Sequence, residues 1–243
     1  MSVEIVDPVA ILTTRIVNYS SLFGSSGRLR GLLVFPNTAF YDGADIGYQH
    51  EIGHTWINFL KIPSLKTSAP HWPLSDLANG IMGYSPGPGQ GVLFPFNLIK
   101  QSENSWLLQS RTDPMVFNDL DLYLMGLIPP TEVKPHIVFE NSAQTLGNTA
   151  IIYGPVTTVT IDDIIKEHGP RIPTYEDSPK NFKIATIIVS YYPLTQKEMS
   201  FYEYYTQRAE LTNLVQVRSG NSLYLSSPFY LSTGKRATLD TKL

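Results

Sequence analysis

His50-Glu51-Ile52-Gly53-His54 is an H-E-x-x-H pentapeptide. On a helix, residues four apart share a face, so both imidazoles can reach one metal ion. Glu51 then sits beside the metal without binding it, placed to take a proton from a metal-bound water. The flanks predict the helix. Tyr41-Asp42-Gly43-Ala44-Asp45 supplies a loop with two possible N-caps. Ile52, Trp56 and Leu60 recur every four residues, and Ile57 and Phe59 widen the apolar face. Lys61 and Pro63 mark the end. The expected helix runs from Ala44 to Leu60, with the motif in its middle. One side is buried in a core and the histidine pair faces a cleft. The competing reading is a chance match on a surface helix, and the residues that follow argue against it.

Two histidines do not hold a catalytic zinc; three protein ligands and a water are the usual set. The chain has 5 histidines, His50, His54, His71, His136 and His168. His71 lies in Ser68-Ala69-Pro70-His71-Trp72-Pro73, a segment stiffened by two prolines that follows the helix by a short loop. It is the expected third ligand. Asp76 is its main competitor, because a carboxylate also binds zinc. With His71 on the metal, Asp76 is free to accept the outer N–H of a ligand histidine and set its tautomer. Glu103 is a weaker competitor. His136 and His168 sit near predicted turns and read as surface residues.

Asn79-Gly80-Ile81-Met82-Gly83-Tyr84 comes next. The pattern resembles the Met-turn of the metzincin zinc peptidases, in which an Ile-Met pair and a nearby Tyr follow the zinc helix. The resemblance implies that Met82 forms the floor of the site. It implies that Tyr84 points toward zinc or substrate, where it could donate to the oxyanion. The chain departs from the longer metzincin motif H-E-x-x-H-x-x-G-x-x-H, because position 60 is Leu where that motif has its third His. The resemblance is therefore to the wider zincin group. The chain is also similar to a set of microbial zincin-like proteins. The matching segments are the motif with Trp56, the later His71-Trp72, and Asp119-Leu120-Asp121-Leu122-Tyr123-Leu124-Met125-Gly126-Leu127. Asp162-Asp163-Ile164 followed by Gly169-Pro170-Arg171-Ile172-Pro173 matches too. This likeness covers Leu33 to Leu243 and implies a peptidase-like protein with no particular substrate.

Composition sets outer limits. The 243 residues are enough for one large domain or two small ones. With 42% hydrophobic and 16% charged residues, the chain is of ordinary globular type. A net charge of −3 with no Lys/Arg cluster argues against nucleic-acid binding. The 14 Tyr and 11 Phe could line a peptide cleft, although most are expected in the core. Without cysteine there is no disulfide framework and no thiolate metal site. Met1 to Ser20 has no apolar run of the secretory kind, so the protein is expected to be cytoplasmic if the chain is complete. No segment approaches the length of a membrane span.

The chain reads as α+β, zincin-like, with a small mixed sheet, an active-site helix and a C-terminal β-α part. Leu29 to Phe35 is an expected strand, which the zincin resemblance implies lies beside the helix, and Val9 to Tyr19 is ambiguous between strand and helix. Ser85 to Gly91 is a turn-rich loop. Asn118 caps a helix with Leu120, Tyr123, Leu124 and Leu127 on one face, stopped by Pro129-Pro130. Val156 to Thr160 is a strand, and Thr160 through His168 a capped helix stopped by Gly169-Pro170. Phe182 to Tyr192 is a near-continuous apolar run, hence an expected buried strand. Thr195 to Glu198 is a capping box opening a helix with Met199, Tyr202, Tyr205 and Ala209 on one side. One domain, 1–243, is expected, with 148–243 as a possible C-terminal subdomain.

The functional expectation is a zinc-dependent peptidase acting on a peptide or protein substrate, with Zn2+ on His50, His54 and His71, Glu51 as general base and Tyr84 assisting. The alternatives are a metal-holding module that turns over nothing, and a metal-dependent hydrolase of a non-peptide substrate.

Overall fold

The computed structural model describes residues 4–5, 31–34, 44–57, 59–67, 71–83, 95–140, 149–219 and 222–242. The protein is mixed helix and sheet. The motif helix is α1 (Ala44–Gly53), preceded by a short parallel pair, β1 (Glu4–Ile5) and β2 (Gly31–Leu32). The expected strand Leu29–Phe35 is thus seen as Gly31–Leu32 within its described part. Val9–Tyr19 and Ser85–Gly91 lie outside the described residues.

A hairpin follows that the sequence reading missed. β3 (Phe96–Ser102) and β4 (Ser105–Ser110) pair antiparallel, and β6 (Thr149–Tyr153) adds to β4. Between them lie α2 (Asp119–Met125) and β5 (His136–Phe139), which pairs with β7 (Val156–Val159). Then come α3 (Ile161–His168), β8 (Asn181–Lys183) and α4 (Gln196–Arg208). A second hairpin, β9 (Val215–Ser219) with β10 (Ser222–Ser226), leads to α5 (Phe229–Ser232) and β11 (Thr238–Asp240). Instead of one small mixed sheet, the strands of the described residues form several separate small sheets, and β8 runs parallel to β11.

Three helices start as their sequences predict. Asn118, Thr160 and Thr195 each accept from the backbone N–H three residues on, and Asp121, Asp163 and Glu198 return the bond to the cap. α2 stops at Gly126, before the prolines. Gly126 has φ +77, and the Arg171 guanidinium occupies the space a Cβ would fill.

The C-terminal part packs on the motif helix. Gln49, beside His50, is buried; its Nε2 donates to Ser227 O at 2.7 Å and its Oε1 accepts from Ser232 Oγ at 2.5 Å. Trp56 meets Phe182 edge-on, and Phe182 meets Phe229. One hydrophobic cluster includes Ile52, Trp72, Leu120, Phe229 and Leu239. Each such side chain, fully buried, contributes about 1.5–3 kcal/mol.

The apolar run Phe182–Tyr192 is not the buried strand its composition predicts. The ladder with β11 ends at Lys183, and beyond it Ile187 is 81%, Val189 94% and Tyr191 101% exposed. Ile184, Thr186 and Ile188 alternate with them and are only partly buried. Hydrophobicity specified an extended chain, but the described residues cover just one of its faces. Among the described residues no helix is long and apolar enough to cross a membrane.

Candidate metal centre

α1 is shorter than its apolar periodicity predicts. It ends at Gly53, and the motif occupies its C-terminal end. Thr55 N–H and Trp56 N–H donate to Ile52 O and Gly53 O, both at 3.0 Å. These i to i+3 bonds tighten the last turn. β-Branched Thr55 and Ile57 favour helix weakly, and Ile57 is drawn fully into the core. His54 still reaches the face of His50, since its N–H donates to His50 O at 3.3 Å.

The Nε2 atoms of three histidines converge. His50 Nε2 lies 3.1 Å from that of His54 and 3.0 Å from that of His71. All the potential ligand atoms lie within 4.8 Å of one another. Two nitrogens bound tetrahedrally to one zinc, at the usual bond length, stand about 3.3 Å apart. Burial, then repulsion from His50 and His71, lowers the His54 pKa to about 3. Burial and His50 lower that of His71 to about 4. At neutral pH both rings are therefore uncharged, the form that binds a metal. Three convergent imidazoles, those of His54 and His71 held neutral by their burial, fit a zinc ion.

The tautomer of His50 follows from its other nitrogen. Nδ1 is 2.8 Å from Ile81 O, and a carbonyl only accepts, so Nδ1 carries the proton and Nε2 presents its lone pair. Ile81 belongs to a turn from Gly80 to Gly83 that is closed by Gly83 N–H on Gly80 O. Gly83 has φ +64, and a Cβ on Gly80 would collide with Val116 O. Met82 is fully buried, and its thioether fills the space a Cβ on Gly53 would need, directly between the motif histidines in sequence. His71 enters from a separate loop: Thr67 Oγ1 donates to His71 O at 2.8 Å. The next residue, Trp72, is fully buried and donates from Nε1 to Asp121 Oδ1 at 2.9 Å. Sequence reading missed Asp121. The signal was there, because an acid at the third position of a capped helix is ordinary, but nothing in the sequence shows that it is buried.

The remaining candidates lie elsewhere. Glu51 is half-buried on α1 and receives no hydrogen bond from the described residues. Tyr84 lies outside the described residues. Asp76 does not face the three histidines, as a ligand or behind one; its Oδ1 is 3.2 Å from His136 Nδ1 and accepts from Ile137 N–H. His136 is not a surface residue. It is 7% exposed on β5, with Asp119 Oδ1 3.0 Å from its other nitrogen. β5 is brought to this place by Phe139 N–H donating to Leu74 O, a pairing across distant sequence. Burial disfavours the His136 cation, but Asp119 and Asp76 outweigh it and raise its pKa to about 9. His168 accepts from Lys61 N–H at 2.9 Å, and Glu103 is exposed at the β3–β4 turn. A cavity of about 450 Å³ opens beside His136, lined also by Asp76, Asp119 and Arg236; the three histidines do not line it.

No family model, curated protein or solved structure matches this chain.

Proposed function

We propose that the chain is a zinc-dependent peptidase of zincin type, with His50, His54 and His71 as the zinc ligands. The observation that carries this is the convergence of three Nε2 atoms with separations of 3.0 and 3.1 Å, next to a glutamate on the same helix. Zinc held there supplies a Lewis acid and lowers the pKa of its water. Glu51, left out of the ligand set, accepts the proton of the attacking water and passes it to the leaving amine. Ile81 O keeps His50 in the binding tautomer, and buried Met82 supports the helix beneath the motif. Tyr84, next after the Gly80–Gly83 turn, is the candidate oxyanion donor.

Metal analysis combined with a broad peptide library tests the proposal. One zinc per chain and peptide cleavage that vanishes on chelation are expected. One zinc per chain without cleavage of any peptide identifies a metal-holding module, and hydrolysis confined to non-peptide substrates identifies the other alternative. Absence of metal binding removes the reading altogether.

A further inference from the structure

We propose that Asp121 is a positioning residue of the metal centre, holding His71 in place through the indole of Trp72. The inference rests on the metal reading above.

His50 is set by α1, and His54, one residue past its end, is tied to it by its N–H on His50 O. His71 arrives from a loop, so something must fix it. Trp72 shares its backbone, and its ring is wholly buried. A buried indole N–H needs a partner, and the bond from Nε1 to Asp121 Oδ1 of 2.9 Å supplies one that adds to packing in fixing the ring. Asp121 is itself immobilised. Its Oδ2 accepts from Asn118 N–H at 3.1 Å, and its own N–H donates to Asn118 Oδ1 at 2.7 Å. The far end of α2 is held as well, by Arg171 Nε on Leu124 O at 2.8 Å and Lys180 Nζ on Gly126 O at 2.5 Å. A helix fixed at both ends therefore carries the acceptor for Trp72.

Capping by itself does not explain a carboxylate with no exposure. Among the described residues two other boxes have the same design, and in both the acid, Asp163 or Glu198, is exposed and serves its own helix end. Burying a carboxylate is costly, and Asp121 differs from those two by having a buried partner outside its helix.

The test is zinc affinity by chelator competition in the full chain, with circular dichroism to confirm folding. Asp121→Asn and Trp72→Phe should each weaken zinc binding by about ten- to a hundredfold in molecules that remain folded. Asp119→Asn, on the same helix but paired with His136, should leave affinity within about twofold of wild type. In the cobalt-loaded protein, the first two variants should shift the electronic spectrum and the third should not. In the wild type, zinc loading should also slow exchange of the Trp72 indole proton, because coupling between sites is reciprocal. If Asp121→Asn does not fold, Trp72→Phe and the exchange rate decide. Folded variants binding zinc as wild type does, or an exchange rate that zinc leaves unchanged, overturn the inference while the metal reading stands. A wild type that binds no zinc removes both.

Discussion

His50 Nδ1 donates to the carbonyl oxygen of Ile81 across 2.8 Å, so a backbone turn distant in sequence orients the first histidine of the motif. The same turn places Met82 against Gly53. Helix and turn thus brace each other, and His50 Nε2 is turned toward the other two imidazoles.

Glu51→Gln should retain fold and metal but lose at least about a hundredfold in turnover, the usual size of a general-base contribution. Kinetics on metal-loaded protein check this. Peptidase activity kept near the wild-type rate would sink the assigned role.

His71→Ala should strip zinc at ordinary concentrations, since two ligands do not hold it. Asp76→Asn should leave zinc affinity unchanged, because Asp76 faces His136. It should instead lower stability by about 1–3 kcal/mol, through the buried histidine it leaves less well paired. Chelator competition and urea unfolding on both variants separate the two effects. A large loss of zinc from Asp76→Asn would restore it to the site.

Stability should fall from neutral to alkaline pH because of His136. Its folded pKa of about 9 lies above the ordinary histidine value of 6.5, so the native state holds the proton more tightly than the unfolded chain. The stabilisation is complete below about pH 6.5 and is lost as pH rises through about 9. Urea midpoints across this window should decline in the wild type and decline less in His136→Gln. Parallel profiles would show that the ion pairs with Asp76 and Asp119 do not govern stability there.

Gly53→Ala should destabilise, although alanine favours helix by about 1 kcal/mol over glycine. The added methyl meets Met82 Sδ, and the Phe117 ring stands 3.2 Å away. Met82 has no exposed surface into which to move, so an overpacking cost of about 1–3 kcal/mol prevails. A thermal midpoint at or above wild type would mean that the thioether moves aside freely.

The sequence by itself determined what is decided within one helical turn. The caps at Asn118 and Thr160 and the capping box at Thr195 form as read, and the first two prove to be boxes as well, each a pair three residues apart. The motif spacing likewise put His50 and His54 on one face, because four residues make about one turn. Only the tertiary structure decided the rest. The return of His71 to the pair depends on a loop and on a buried bond from Trp72 to Asp121. Asp76 was drawn to His136 by β5, which docks from distant sequence. The run after Lys183 is extended as its β-branched residues require, but whether each face is covered depends on neighbours that no local pattern names. Local bonds are encoded by spacing. Burial and charge pairing belong to residues far apart in sequence, and they exist only once the core has closed.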